Sequence, residues 1–343
     1  MIAALARHGP VEVAYLPFGG GTPAADLEAD ERITLRRIEP SRGAGRLAAA
    51  LRAAAAGAPW DIAKAVSPEV VAVAREAAPD QRVIVDGPTA AAAVLPLRRS
   101  RDAVYLAHNL EISFRSTPSL RRFERKVLRT FGESWMATET DMQGARELAG
   151  GDLRMRYVPN VVDVRALPPA GERPGNGNTL FVADFTYPPN REGLTYLADQ
   201  VMPLVWSELP DATLTVVGRG LDTPPSDPRV RAVGFVDDLD AAYADADAVV
   251  VPLLTGGGSP LKLVEALGRG LPVVVTSHAA ALIQHGTPGE HFLAAPDAPE
   301  FATALVSVLR GEHADMGARG RAMAEEFLSV EALVRQLDGP PAS

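Results

Sequence analysis

The sequence predicts an α/β protein of two domains, each built on a parallel β-sheet. The chain has 343 residues, which is enough for two domains of ordinary size. Short apolar runs alternate with alanine-rich helical segments along its length, a pattern typical of βαβ units. Between the halves, residues 167–178 (LPPAGERPGNGN) are rich in proline and glycine. We therefore predict domains at 1–166 and 179–337, joined by a linker at 167–178.

The apolar runs define the predicted strands. In the first domain we expect strands at 11–16, 33–38, 61–66, 82–86, 103–107, 134–138 and 154–158. In the second domain we expect them at 179–184, 213–217, 230–235, 248–252, 272–276 and 291–294. The tail at about 314–337 is predicted to be helical, with residues 340–343 frayed.

Composition excludes several classes of function. A net charge of −9 and a pI near 5.3 argue against nucleic acid as a partner, because phosphate backbones require a basic surface. The absence of cysteine excludes disulfides and thiolate metal sites. Asp61, Asp86 and Asp141 show no metal-ligand spacing, so we expect no metal. Without a visible signal peptide or a run of about 20 apolar residues, we expect a cytoplasmic protein, with membrane-peripheral contact as an alternative.

The most informative segment is TGGGSPLKLVEALGRGLPVVVT at 255–276. Three consecutive glycines allow the backbone to approach a ligand closely. We predict that Ser259 caps the following helix and that Pro260 is its first residue. The free N–H groups at such a helix start attract an anion. A tight structural turn is the alternative interpretation.

Two charged residues of this helix favour a nucleotide-sugar ligand. Lysine occurs only at positions 64, 126 and 262, so Lys262 beside the glycine-rich turn is an informative choice. An ammonium group meets phosphate as a compact point charge. Glu265 follows among apolar neighbours, and its carboxylate suits sugar hydroxyls better than phosphate. The alternative is a solvated helix residue.

His108 is the candidate in the first domain. It follows the apolar run AVYLA, and ligands of parallel sheets bind beyond the carboxyl ends of the strands. Two such sheets facing each other would form a cleft. A hydrogen-bonded structural histidine is the alternative.

Motifs along nearly the whole chain resemble those of one enzyme family. They are YLAHNLE at 105–111, VPNVVD at 158–163, LFVADFTYPPNREG at 180–193, VVGRG at 216–220, VGFVDDLDAAYADADAVVVPL at 233–253 and GGGSPLKLVEALGRGLPVVVT at 256–276. On these motifs the chain resembles the GT-B glycosyltransferases, closest to the large retaining group of sucrose synthase-like and mannosyltransferase-like enzymes (family 4). The His-Asn-x-Glu segment resembles a branch often found in polysaccharide or secondary-metabolite pathways.

The resemblance implies a fold and a reaction. The fold is two Rossmann-like domains facing across a cleft, with the acceptor on the first and the donor on the second. The reaction is transfer of a sugar from a nucleotide diphosphate sugar to an acceptor hydroxyl, with retention and without a metal or other cofactor. The acceptor is an unidentified small molecule or a lipid-linked one, and its selectivity is expected in loops at 18–25 and 112–120.

The resemblance also implies site residues. Glu265 would bind the ribose, and His108 would contact the donor sugar and diphosphate; these two are the expected catalytic residues. The remaining expected donor-binding residues are Asn190, Arg219, Phe235, Gly257, Gly258, Ser259, Leu261 and Lys262, with Phe235 at the base and Lys262 at the diphosphate.

The chain departs from the family pattern in three places. The first glutamate of the usual pair is replaced by Gly257. The usual Arg and Lys of the first donor-domain loop are reduced to Arg191, with Arg219 as the nearest substitute. The chain begins within the family's first helix, at IAALARHG, so we expect the usual first strand to be missing. A misassigned start and a truncated relative both account for this.

Alternatives remain at this point. A non-catalytic relative would bind a nucleotide sugar or a partner enzyme. A nucleotide-sugar epimerase of the same fold would require further acid/base carboxylates, which the sequence does not locate. The basic run at 115–129 predicts an amphipathic helix with a solvated face, and contact with anionic lipid is the alternative.

Overall fold

The computed structural model describes residues 1–16, 25–39, 43–113, 116–169, 171 and 173–339. The expected frayed end at 340–343 and most of the expected acceptor loop at 18–25 lie outside the described residues, as do residues 114–115. The chain divides into two compact units. The first comprises Met1–Pro159, Gly257–Ser259 and Val334–Ser343, and the second comprises Asn160–Gly256 and Pro260–Leu333.

The segment predicted as a linker belongs to the second unit in this division. The carboxylate of Asp247 accepts hydrogen bonds from the backbone N–H groups of Gly175 (2.8 Å) and Gly177 (2.7 Å). The guanidinium of Arg173 donates to the carbonyl oxygen of Val308 at 2.9 Å. Because these bonds hold residues 173–177 against the second unit, this part of the segment is not a free tether.

The described residues of the first unit form six strands and the helices that connect them. The strands are β1 (Val11–Tyr15), β2 (Ile33–Arg37), β3 (Ile84–Asp86), β4 (Val104–Ala107), β5 (Glu133–Met136) and β6 (Met155–Tyr157). The helices are α1 (Ile2–Leu5), α2 (Ala25–Ala29), α3 (Ala44–Ala55), α4 (Trp60–Ala63), α5 (Pro68–Glu76), α6 (Gly87–Val94), α7 (Pro118–Thr130) and α8 (Glu139–Ala149). Strands β3 to β6 form one parallel sheet in that order, and β1 pairs with β2 in a second parallel sheet.

The strand predicted at 61–66 is wrong. The region forms the short helix α4 between Pro59 and Pro68. Ile62, Ala63 and Val66 are buried, so the apolar residues follow the spacing of a helical turn rather than the alternation of a strand. The other six predicted strands of this unit are present.

The basic helix α7 uses its cations to bind the ends of other helices. Lys126 Nζ donates to the carbonyl oxygen of Ala56, just past the end of α3 (2.7 Å). Arg125 donates to the carbonyl oxygen of Leu148 at 2.8 Å, and Arg129 to that of Ala149 at 2.8 Å, both at the end of α8. Carbonyls at helix C-termini lack intrahelical partners and carry partial negative charge. Arg125, Lys126 and Arg129 are nevertheless exposed, so the predicted solvated face is confirmed, and each cation also makes a hydrogen bond that the sequence did not predict.

In the part of the second unit that the structure describes, six strands form one parallel sheet. They are β7 (Asn178–Val182), β8 (Thr213–Val217), β9 (Val230–Gly234), β10 (Ala248–Val251), β11 (Val273–Thr276) and β12 (Leu293–Ala295). The helices are α9 (Pro188–Tyr196), α10 (Met202–Glu208), α11 (Leu239–Ala244), α12 (Leu261–Arg269), α13 (Ser277–Ala280), α14 (Ala298–Leu309) and α15 (Met316–Phe327), and α16 (Val330–Asp338) continues into the first unit. A π-helical turn, Leu197–Val201, joins α9 to α10.

The order of this sheet is β12-β11-β10-β7-β8-β9, so the direction of winding reverses between β7 and β10. Val250 and Val274 lie in one apolar cluster, whereas Val249 and Val273 lie in another. Both faces of the sheet are therefore buried, which explains the continuous valine runs. Open parallel sheets bind ligands beyond the carboxyl ends of the strands where the winding reverses.

Candidate functional site

The loops after β7 and β10 contain most of the predicted donor-binding residues. The first loop leads from Ala183 into α9, which carries Asn190. The second contains the glycine-rich turn and leads into α12, which carries Lys262 and Glu265. Because β7 and β10 are neighbours at the reversal of winding, their carboxyl ends bring these two loops together.

The glycine-rich turn requires glycine at two positions. Gly256 and Gly258 have φ values of +104° and +76°, which residues with a β-carbon rarely adopt. A Cβ on Gly256 would also lie 3.0 Å from the hydroxyl of Tyr187. His278, on α13, lies 2.9 Å through Nε2 from the carbonyl oxygen of Gly256. The backbone of the turn is therefore fixed by its own conformation and by a side-chain contact.

The predicted cap of the next helix is wrong by one residue. Helix α12 begins at Leu261, with Pro260 in the N-cap position and without a side-chain cap. Ser259 is buried one residue earlier. Proline at this position has no N–H of its own, and the first N–H groups of the helix, from Leu261 onward, lack intrahelical partners.

Lys262 is a largely buried cation without a carboxylate partner. Its Nζ donates to Asn190 Oδ1 at 2.5 Å and lies 5.1 Å from the centre of the Phe181 ring. Within the described part of the chain, Lys262 forms no ion pair. Burial lowers the pKa of Lys262 to about 8, because removal from water disfavours the charged form. An anionic ligand would supply the missing counter-charge.

Asn190 and Asp184 connect the two loops through hydrogen bonds. The buried amide of Asn190 donates to the backbone carbonyl of Asp184 at 2.7 Å while its oxygen accepts from Lys262. The Asp184 carboxylate accepts from Arg219 at 2.9 and 2.7 Å. Arg219 is therefore neutralised, and it could bind phosphate only by releasing Asp184. Arg191 donates to the carbonyl oxygen of Phe185 at 2.5 Å.

Glu265 lies one turn further along α12 than Lys262. The hydroxyl of Tyr243 donates to its Oε2 at 3.2 Å. Burial raises the pKa of Glu265, although the bond from Tyr243 and the charge of Arg269 act in the opposite direction. Phe235 follows Gly234, whose φ is +81°, and its ring is 71% exposed. Leu261 is also exposed, so both side chains can meet a ligand.

His108 follows β4 in the first unit and pairs with a carboxylate. Its Nε2 lies 2.7 Å from Asp86 Oδ1, and Asp86 ends the neighbouring strand β3. The hydrogen bond to Asp86 raises the pKa of His108 despite partial burial. The carboxylates of Asp141 and Glu124 accept the N–H groups of the next residues, Leu110, Glu111 and Ile112. The segment after His108 is therefore held from two sides.

The structure brings some of the predicted donor-binding residues together and adds partners that the sequence did not predict. Asn190 and Lys262 are in direct contact, and Asp184 links Asn190 to Arg219. The partners that were missed are Asp86, Asp184, Tyr243 and His278. A sequence signal existed for Asp86 and Asp184, because each stands at or just after the end of an apolar strand. Among the described residues, no three His, Asp or Glu side chains cluster as metal ligands would.

The architecture is that of the GT-B glycosyltransferases, as comparison with solved structures shows. Sucrose-phosphate synthase from Thermosynechococcus elongatus matches with a TM-score of 0.71 and 17% identity, over 97% of this chain and 89% of that chain. Anabaena HepE in complex with UDP and glucose matches with a TM-score of 0.70 and 17% identity, over 94% and 90%. The predicted fold class is confirmed.

Sequence comparison finds a family match within the second unit. Residues 177–311 match the family model described as Glycosyl transferases group 1. A phosphatidyl-myo-inositol mannosyltransferase of Mycobacterium leprae is 31% identical over 207 residues, which are 56% of this chain and 53% of the relative. An uncharacterized 44.6 kDa protein in the cps region of Klebsiella pneumoniae is 29% identical over 148 residues, or 38% and 37%. The chain thus spans about half or less of these relatives.

Because Lys262 is largely buried, we expect the free energy of unfolding to depend on whether its amino group is charged. We expect Lys262→Met to raise the free energy of unfolding at pH 7 by about 1 to 2 kcal/mol, because the desolvation cost exceeds the lost hydrogen bond to Asn190. Between pH 8 and about 10.4, Lys262 is mostly deprotonated in the folded wild type but still protonated in the unfolded chain. The free energy of unfolding of the wild type should therefore rise across this window, and the stability advantage of Lys262→Met should shrink. Urea unfolding at several pH values measures this.

The matched control is Lys64→Met, which replaces an exposed lysine and should change stability by less than about 0.5 kcal/mol. A loss of stability in Lys262→Met at pH 7 would show that the buried ammonium is not strained by desolvation.

Proposed function

We propose that this chain transfers a sugar from a nucleoside diphosphate sugar to an acceptor hydroxyl, with retention of configuration. The observation that carries the proposal is Lys262, a cation held in a largely buried position by Asn190 without a carboxylate partner in the described chain. It stands at the start of α12, beside a glycine-rich turn, where the winding of the sheet reverses. The glycosyltransferase domain match at 177–311 supports the same reaction.

In this proposal the second unit binds the leaving nucleotide. Lys262 and the backbone N–H groups of Gly258, Ser259 and Leu261 hold the diphosphate, where negative charge grows as the glycosidic bond breaks. The carboxylate of Glu265 accepts hydrogen bonds from the ribose hydroxyls, and the exposed Phe235 lies at the nucleotide base. Phosphate oxygens compete with Asp184 for Arg219, which then becomes a second cation for the diphosphate.

In the first unit, His108 acts on the donor sugar. A histidine whose pKa is raised by Asp86 carries more positive charge at neutral pH, which suits a ring that orients a sugar phosphate. No metal or other cofactor takes part in the proposed reaction, since Lys262, Arg219 and backbone amides neutralise the diphosphate. The relative from a cps region and the HNLE segment at 108–111 favour a polysaccharide pathway over other sources of acceptor.

The proposal predicts selective nucleotide binding that depends on α12. In calorimetric titrations with UDP, GDP and dTDP, we expect one nucleotide to bind. Lys262→Met should weaken that binding about 10- to 100-fold, because a charged hydrogen bond to phosphate is lost. Glu265→Gln should weaken it less. Affinity should fall about tenfold per pH unit above pH 8, since free Lys262 must then take up a proton.

Lys64→Met is again the matched control and should bind as the wild type does. Folded wild-type protein that binds none of the three nucleotides would contradict the proposal and favour a non-catalytic relative. Release of nucleoside diphosphate from the matching nucleotide sugar, followed by NMR of the anomeric proton of the product, then tests transfer and retention.

We further propose that the first unit makes peripheral contact with an anionic lipid surface. Leu47 and Leu51 lie one turn apart on α3 and are 55% and 54% exposed, and Trp60 on α4 is 53% exposed. Lys126 joins α7, which also carries the exposed Arg121 and Arg122, to the end of α3. Exposed leucine, tryptophan and arginine suit the membrane interface. No helix in the described part of the chain could cross a membrane.

Vesicle sedimentation tests this contact. The wild type should sediment with vesicles of equal parts phosphatidylglycerol and phosphatidylcholine and less with phosphatidylcholine alone. Replacing Leu47, Leu51 and Trp60 together by serine should reduce binding at least fivefold. Leu204→Ser, at an exposed leucine of the second unit, is the control. Equal binding by the triple variant would contradict the proposal.

A further inference from the structure

Tyr243 determines how Glu265 can meet a ligand. The tyrosine lies in α11, is 2% exposed, and donates its hydroxyl to Glu265 Oε2 at 3.2 Å. Among the residues that the structure describes, Glu265 receives no other hydrogen bond. Burial raises the pKa of Tyr243, so its hydroxyl remains a donor at every pH at which the protein is studied. One carboxylate oxygen is thus occupied, and Oε1 keeps its capacity to accept.

Arg269 supports this arrangement without neutralising Glu265. It lies four residues after Glu265 in α12, a spacing at which an ion pair is possible. Its guanidinium instead lies 4.4 Å from the centre of the Tyr243 ring and donates to Asp240 Oδ1 at 2.6 Å. The Arg269 side chain is 7% exposed. The cation is therefore committed to Asp240 and to the face of Tyr243, and this fixes the ring whose hydroxyl contacts Glu265.

A largely buried carboxylate with spare acceptor capacity is costly unless something donates to it. The hydrogen bond from Tyr243 satisfies part of the acceptor capacity of the Glu265 carboxylate. The hydroxyl groups of a sugar, which are neutral donors, can meet the rest without placing a second negative charge beside Glu265. A phosphate could not, because two anions would repel each other.

We propose that Tyr243 is a positioning residue for Glu265: it occupies Oε2 and leaves Oε1 to accept the ribose hydroxyls, which makes the second unit select ribonucleotides over deoxyribonucleotides. This inference rests on the proposed function, in which Glu265 binds the ribose. A site built to accept a hydroxyl discriminates against an analogue that lacks it, because the buried acceptor is then left unpaired. Tyr243 acts through Glu265 and touches no ligand itself.

The test compares a nucleotide with its deoxy analogues in five proteins: the wild type, three single variants and one double variant. The probe is UDP or GDP, whichever binds the wild type, together with its 2′-deoxy and 3′-deoxy forms, all measured by calorimetry. The wild type should bind the ribonucleotide about 10- to 100-fold more tightly than at least one deoxy form. Tyr243→Phe should reduce this ratio of affinities about fivefold or more, because it should weaken binding of the ribonucleotide and leave binding of the deoxy form unchanged. Glu265→Gln should reduce it as much or more.

The matched control is Tyr196→Phe, at another buried tyrosine of the second unit, which should leave the ratio unchanged. Tyr243→Phe removes one oxygen and keeps the ring against Arg269, and circular dichroism checks its fold. The double variant Tyr243→Phe/Glu265→Gln should match Glu265→Gln alone, because the tyrosine acts only through that carboxylate.

The possible outcomes separate three claims: the positioning role of Tyr243, the ribose role of Glu265 and the proposed function. A ribonucleotide preference that survives in Tyr243→Phe, or an equal loss of affinity for both forms, would overturn the positioning role and leave the donor site intact. Absence of nucleotide binding by the wild type would overturn the proposed function and this inference together. A wild type that binds ribonucleotide and deoxynucleotides equally would remove the ribose role of Glu265.

Discussion

The proposed function depends on Lys262, a positive charge that the fold buries without a carboxylate partner among the described residues. Lys262 is held by the amide oxygen of Asn190 and lies beside the Phe181 ring, and neither contact neutralises an ammonium group. Removal from water favours the neutral amine, which lowers its pKa to about 8. A folded protein tolerates such a cost where the missing charge arrives with a ligand. The other residues of the candidate site hold this ammonium group in place or lie around it.

The topology of the second unit explains why the charge stands where it does. Parallel strands deliver their following loops to one edge of the sheet, and the reversal of winding between β7 and β10 separates the helices that follow them. The helix after β7 supplies Asn190, and the helix after β10 supplies Lys262. Asn190 accepts a hydrogen bond from Lys262, which joins the two segments, and donates one to the carbonyl of Asp184 in its own segment. A contact between residues 72 positions apart thus follows from strand order.

Much of the fold could be predicted from the sequence, because central strands such as β10 and β11 are buried on both faces and read as continuous valine-rich runs. The error at 61–66 arose because a short apolar run also fits one helical turn, and only packing separates the two. The helix start was misplaced because Ser259 and Pro260 both favour an N-terminus, yet the backbone at Pro260 is still extended, with ψ at 99°.

The candidate site was predicted residue by residue but not as a network. Glycine spacing and a rare lysine pointed to the turn and to Lys262. The pairing of Arg219 with Asp184, and of Glu265 with Tyr243, depends on which elements meet in space, and the spacing of residues along the chain does not encode it. The cations of α7 illustrate the same limit. The sequence predicted their solvated face correctly, but it did not predict that three of them also bind helix ends that only the tertiary structure brings near.

The rarity of lysine makes the central claim directly measurable. Protein labelled with 13C at the lysine ε-carbon should give three resonances, from Lys64, Lys126 and Lys262, and the Lys262→Met variant identifies the third. The account predicts that the Lys262 resonance titrates near pH 8 in the free protein and at higher pH once a nucleoside diphosphate is bound, since an adjacent anion favours the ammonium form. A Lys262 resonance that titrates near the reference value of about 10.4, or that ignores every nucleotide tested, would contradict it.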